Sequence, residues 1–135
     1  MIVLDASAVL ELVLNTEAGR QVLERIEDPA ESLHAPHLMG VEVAQVLRRY
    51  VRAHQVAEET AASALSDLLD LDVARYEHEP LLPRVWQLRD NVTAYDGVYL
   101  ALAEVLDAPL LTRDRRLAGS SGHDAVVELV AGRAH

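Results

Sequence analysis

Residues 1–12, MIVLDASAVLEL, constrain this chain more than any other stretch. Met1 to Leu4 is an unbroken apolar run with Ile2 and Val3 at its centre, and it runs straight into Asp5. An apolar run without alternation is the pattern of a strand covered on both faces, as in a parallel sheet. Leu110-Leu111-Thr112 repeats the theme, and an acid, Asp114, follows it as well. Strands this short build no core alone, so helices must cover both faces of the sheet.

The intervening stretches supply those helices. Residues 7–14 and 17–27 read as helical, the second stopped by Asp28-Pro29. Residues 32–35 read as a short strand. Residues 36–52 form a strongly amphipathic helix, with Met39, Val43, Val46, Leu47 and Tyr50 on one face. The pattern then predicts a helix over 57–71, a strand over 73–77 and a helix over 81–89. Thr93 opens a helix that ends at Leu106, before Asp107-Ala108-Pro109. A Gly119-Ser120-Ser121-Gly122 loop and a strand near 125–129 follow, and the end of the chain is expected to fray. No repeat, low-complexity tract or linker interrupts this order. Residues 1–135 therefore predict one domain, an α/β/α sandwich around a short, mostly parallel central sheet.

Composition removes whole classes of chemistry. The chain has no cysteine, so disulfides, thiolate nucleophiles and Cys-based zinc sites are excluded. It carries 22 acids against 12 bases, a formal charge of −10, and every base is arginine. Without lysine there is no Schiff-base amine and no P-loop. Most of the surface repels nucleic acid, so any work on a phosphodiester needs metal ions and a local arginine patch. The N-terminus lacks a basic stretch followed by a long apolar run, and no window approaches the roughly 18 apolar residues of a membrane span. A cytoplasmic protein with no membrane partner is expected.

Ligands of open parallel sheets sit beyond the carboxyl ends of the strands. Asp5 and Asp114 fall there, and Asp96 lies in the first turn of the helix that begins at Thr93. Topology alone places these three carboxylates on one rim. Glu42 lies at the flank of the apolar stripe of its helix, beside Leu38, Met39 and Val46, where leaning into a cleft is permitted but not required. Each acid also has a local reading: Asp5 as a helix N-cap, Asp96 within a capping-box pattern, Glu42 as a solvated flank, Asp114 as a turn residue. Together they favour a metal site, because clustered carboxylates repel one another unless a cation compensates. Oxygen ligands of this kind suit Mg²⁺, with Mn²⁺ as the alternative ion.

The stretches MIVLDASAVLEL, APHLMGVEVAQVLRR and TAYDGVYLALAEVLDAPLLTRDRRLA, in this order and spacing, resemble the PIN-domain ribonucleases, and specifically the VapC toxins of bacterial toxin–antitoxin pairs. The resemblance implies a metal-dependent endoribonuclease centred on Asp5, Glu42, Asp96 and Asp114. It implies that Ser7 and Thr112 supply hydroxyls that support the metal site. Some PIN proteins carry a further acid shortly after the one matching Asp114; here that stretch is Arg115-Arg116-Leu117. The resemblance also implies an RNA substrate of the transfer or ribosomal class, a homodimer, and a small antitoxin whose C-terminal segment lies in a groove of the toxin. Arg113, Arg115 and Arg116, with Arg48, Arg49 and Arg52, are the candidates for holding phosphates; their alternatives are solvation and, at the helix end, the helix dipole.

Two other functions compete. A phosphatase of the haloacid-dehalogenase type or a phospho-receiver domain needs an essential lysine, and the former needs a second Asp where this chain has Ser7. A PIN fold kept only for binding is opposed by intact acids at all four positions. His34 and His37 are separated by Pro36 and read as loop or cap residues. Ser120, Ser121, His123 and Asp124 crowd one Gly-rich loop without a nucleophile elbow and read as a solvated turn. Leu81, Leu82, Val85, Trp86 and Leu88 read as core or subunit interface rather than an RNA-stacking platform.

Overall fold

In a computed structural model that describes residues 1–130, the opening apolar run forms β1 (Ile2–Leu4), buried along its whole length. β2 (Leu33–Pro36) and β3 (Val73–Tyr76) lie to one side of it, β4 (Leu110–Thr112) and β5 (Val127–Leu129) to the other. Every neighbouring pair is parallel, so the sheet expected to be mostly parallel is parallel throughout the described residues. The expected fraying of the tail lies outside those residues.

Helices α1 (Ala6–Val13) and α2 (Glu17–Ile26) join β1 to β2, and α3 (Leu38–Arg52) and α4 (Glu58–Asp70) join β2 to β3. A 3₁₀ turn (Glu79–Leu81), α5 (Leu82–Gln87) and α6 (Ala94–Leu106) join β3 to β4; α7 (Arg115–Ala118) joins β4 to β5. Right-handed crossovers put α1–α4 on one face and α5–α7 on the other. The packing agrees: α1 rests on α2, α3 and α4, while α6 spans β1, β2 and β4 and carries α5. This is the α/β/α sandwich. No described helix is long and apolar enough to cross a membrane.

Two elements differ from the sequence reading. The helix expected over 81–89 is split, because Pro83 has no N–H to donate and is tolerated only in a first turn. The α-helix therefore starts at Leu82, behind the 3₁₀ turn. Helix α7 was not expected; four residues are too few to show a period, and it rests on Asp114, whose side chain accepts from the Arg116 and Leu117 amides.

Helix α6 is the centre of the core. Its residues from Gly97 to Ala103 are all buried, which explains a sequence with almost no polar face. Gly19 sets the approach of α2 to α1: a Cβ there would lie 2.1 Å from the Glu11 carbonyl oxygen. No other residue fits.

Candidate active site

From β1 the chain steps outward through β2 to β3, then returns to the far side of β1 as β4. The winding direction thus reverses between β1 and β4, the place where crevices open beyond the carboxyl ends of parallel strands. Asp5 directly follows β1 and Asp114 lies two residues past β4. A cleft of about 540 Å³ opens there, and Asp5, Glu42, Asp96 and Asp114 all line it, joined by a fifth acid, Glu11, which also accepts from the Thr16 hydroxyl.

Two hydroxyls hold Asp5. Ser7 Oγ donates to its Oδ2 at 2.5 Å and Thr112 Oγ1 donates to the same oxygen at 2.8 Å. Each hydroxyl accepts in turn from the backbone beyond β4: Ser7 from the Arg113 amide at 2.9 Å, Thr112 from the Asp114 amide at 3.0 Å. The same pair therefore positions Asp5 and the turn that carries Asp114. Asp5 occupies the N-cap position of α1, yet its carboxylate makes no capping hydrogen bond. The carboxylate instead draws on the Ala6 and Ser7 amides at the very start of the helix, which join the two hydroxyls in favouring its charge.

The other acids are fixed from different elements. Thr93 caps α6 by accepting from the Asp96 amide at 3.2 Å, leaving the Asp96 carboxylate facing the cleft. Asp114 Oδ1 accepts from the Arg116 amide at 2.9 Å, so this residue is both a helix cap and a wall of the cleft. Glu42 is half-buried, and its Oε1 accepts a 2.6 Å hydrogen bond from the Tyr99 hydroxyl. Tyr99 was missed by sequence reasoning. A lone hydroxyl within the apolar run of α6, three residues after Asp96 and so on its face, was the available signal.

The electrostatics are those of crowded anions. Burial pushes the Asp5 carboxyl above its ordinary range, with the Ser7 and Thr112 hydroxyls opposing. Burial also raises Glu42, against the Tyr99 hydrogen bond, and the charges of Asp5 and Asp96 raise it further. Asp96 is raised by burial, then by Asp5 and Asp114, with Arg116 opposing. Tyr99 is raised strongly, by burial and then by the charges of Asp5 and Glu42, and stays a donor. The nearest cation, Arg116, stands 3.9 Å from Asp96 and 4.0 Å from Asp114 with its side chain 80% exposed, too solvated to neutralise the group.

The six candidate arginines separate. Arg49, Arg113 and Arg116 line the cleft. Arg49 is seven residues after Glu42, two helical turns on, and so shares its face. Arg48 and Arg52 point elsewhere, into an apolar groove with Leu47, Val51, Ala61 and Leu65 between α3 and α4. Arg115 is exposed and does not line the cleft.

Among the described residues, no three His, Asp or Glu side chains converge tightly enough to cage a metal by themselves. The donor set is nevertheless uniform: carboxylate oxygens on several walls, with no histidine lining the cleft. His34 is instead buried in β2, bonded to Ser32 at 2.8 Å and to Tyr76 at 2.7 Å. His78 caps α3 by accepting from the Leu38 amide at 2.9 Å. Ser120 Oγ donates to the Leu117 carbonyl and lies 3.2 Å from His123 Nε2, but His123 Nδ1 accepts from the Ala125 amide, so the neutral ring carries its proton on Nε2 and donates toward Ser120 rather than taking its proton. Leu81, Val85 and Leu88 join the core, whereas Leu82 and Trp86 are exposed.

Comparison with known proteins agrees with this geometry. The PIN domain model matches residues 2–121. The chain is 44% identical over 131 residues to ribonuclease VapC12 of Mycobacterium tuberculosis, covering 97% of this chain and 100% of the relative. A crystal structure of a Pyrobaculum aerophilum protein superposes with a TM-score of 0.70 at 24% identity, covering 93% of this chain and 81% of that one. A toxin–antitoxin complex from Klebsiella pneumoniae gives 0.62 at 22% identity, covering 88% and 92%. An all-parallel sheet of this order, its acids at the switch point, and a near full-length match lead to one conclusion: the chain belongs to the PIN-domain family and, within it, to the VapC ribonucleases.

Proposed function

We propose that this protein is a Mg²⁺-dependent endoribonuclease toxin in which Asp5, Glu42, Asp96 and Asp114 hold the ion, with Mn²⁺ able to replace it. The observation that carries this reading is the meeting of these four carboxylates in one cleft, which Glu11 also lines, with Asp5, Glu42 and Asp96 pushed up by burial and in part by one another. Only oxygen donors are offered, and they are spaced too widely for a closed cage, which suits an ion that keeps part of its water shell. VapC12 of M. tuberculosis is named a ribonuclease, which supports RNA as the substrate.

When bound, the ion supplies Lewis acidity toward the phosphodiester and acidifies water at neutral pH. The protein's own residues do the rest. Ser7 and Thr112 hold Asp5 in one rotamer, and Tyr99 holds Glu42, so little reorganisation remains when substrate arrives. Arg49, Arg113 and Arg116 offer donors to the phosphates at the rim. No histidine or lysine lines the cleft to take a proton unaided, so the carboxylates must work with the cation.

The Klebsiella complex supports a small antitoxin as partner. An acidic cleft fits an antitoxin segment that carries arginine or lysine toward the carboxylates. A homodimer, and a hetero-oligomer with the antitoxin, are the assemblies of this reading, with RNA of the transfer or ribosomal class as substrate. The test is cleavage of cellular RNA by the purified protein and by Asp96→Asn, with and without EDTA, and mapping of the ends. Discrete cuts that need Mg²⁺ and vanish in the variant are expected. Cuts that survive EDTA or the substitution overturn the reading.

A further inference from the structure

Next to the acid cleft lies a second hollow, of about 560 Å³, between residues 89–93 after α5 and residues 119–121 after α7. Thr93, Asp96 and Arg116 line both spaces, so the two adjoin across these three side chains. The lining is polar and includes Arg89.

Arg89 is held rather than free. Its guanidinium carbon lies 4.6 Å from the centre of the Trp86 ring, and its Nη1 donates to the Trp86 carbonyl oxygen at 2.9 Å. Trp86 is 68% exposed, unusual for a tryptophan on a monomer's surface. Its ring gives the guanidinium a fixed shelf, which lowers the entropy lost when the fork meets an anion. Asn91 donates to Ser121 Oγ at 3.2 Å and joins the two walls. Asp90 and Asp96 also line the hollow, so it repels a lone anion. It suits a polyanion that is already anchored next door.

We propose that this hollow holds the stretch of single-stranded RNA next to the scissile phosphodiester, with Arg89, positioned by Trp86, binding a backbone phosphate and Arg116 guiding the strand between the two spaces. This rests on the ribonuclease reading. The polar lining and the shared wall favour a nucleic-acid strand over a protein partner, although Leu82 and Trp86 are exposed beside it.

The test is binding of a fluorescein-labelled, mixed-sequence single-stranded RNA by anisotropy, in Ca²⁺ and across a salt series, with cleavage of cellular RNA in Mg²⁺ run in parallel. Arg89→Gln is expected to weaken binding about tenfold and to reduce the logarithmic salt slope by about 0.7, one phosphate contact. Arg89→Lys should recover part of the affinity, and Trp86→Leu should fall between wild type and Arg89→Gln. Arg20→Gln, the same charge loss on a residue that lines neither space, should leave the slope unchanged. Wild type that binds and cleaves while Arg89→Gln matches it in affinity and slope overturns the subsite and leaves the ribonuclease reading intact. A change from dimer to monomer on sedimentation of Arg89→Gln or Trp86→Leu marks a protein interface and also overturns it. Wild type that neither binds nor cleaves RNA defeats the ribonuclease reading itself.

Discussion

Tyr99, buried within α6, donates its hydroxyl proton to Glu42 on α3 at 2.6 Å, and so ties together helices from opposite faces of the sheet. The bond is charge-assisted and the phenol has no water to fall back on, since Tyr99 is 1% exposed. Tyr99→Phe is expected to cost about 2 kcal/mol in urea denaturation without metal, the usual loss for a hydrogen bond to a charged group. Glu42 rises further without its donor, so the variant should also need more Mg²⁺ for half-maximal cleavage. Unchanged stability together with an unchanged Mg²⁺ requirement would show that the bond positions nothing.

Ser7 and Thr112 act on Asp5 through one oxygen, which makes their removal interdependent. Ser7→Ala and Thr112→Val should each cost about 1–2 kcal/mol, and the double variant more than the sum, because it alone leaves Oδ2 without a hydroxyl donor. Both bonds oppose the rise of the Asp5 carboxyl. Their loss should therefore move the acid limb of the cleavage pH profile upward. A profile that stays in place separates Asp5 from the reaction.

Asp5, Glu42 and Asp96 all stand above the ordinary carboxylate range in the folded protein, so between their unfolded and folded pKa values the native state binds more protons than the unfolded chain. Their contribution to stability is complete below the unfolded values and is lost as pH rises through the folded ones. Without divalent ions, Asp96→Asn should accordingly stabilise the fold at pH 7.5 by about 1 kcal/mol, in the range usual when a functional site is relieved of strain. Wild type should gain melting temperature on addition of Mg²⁺ at pH 7.5, and gain less near pH 5. Thermal denaturation of both proteins at the two pH values, with and without Mg²⁺, measures each effect.

The order of elements was legible because the strands announce themselves as unbroken apolar runs and the helices between them carry a clear stripe. Asp5 and Asp114 were legible for the same reason: an acid after a buried strand has little choice of rim. Glu42 was not, since a flank position on α3 allows solvent as readily as the cleft, and the deciding contact comes from Tyr99, 57 residues away. A local role and a place on the cleft are also compatible: Asp114 caps α7 with Oδ1 while lining the cleft. The arginines near the end of α3 divided by helical phase, with Arg49 following Glu42 and its neighbours turned toward α4. Arg89 gave no sequence signal, because its role depends on a ring three residues earlier and on a loop thirty residues later.

The close packing of α2 on α1 gives a check on the fold that leaves the cleft alone. Gly19→Ala places a methyl 2.1 Å from the Glu11 carbonyl oxygen, a backbone atom that cannot turn aside. A loss of about 3 kcal/mol is expected, as for a severe overpacking. Urea denaturation checks it, and a loss below about 0.5 kcal/mol would show that the two helices meet less closely.

The central claim is that the four carboxylates hold the divalent ion. Titration of Mn²⁺ into the RNA-free protein, followed by loss of the free-ion EPR signal, tests it without relying on cleavage. Saturable uptake by wild type is expected, weakened at least about tenfold in each of Asp5→Asn, Glu42→Gln, Asp96→Asn and Asp114→Asn, all still folded. No uptake by wild type, or uptake equally tight in the four variants, would contradict the account.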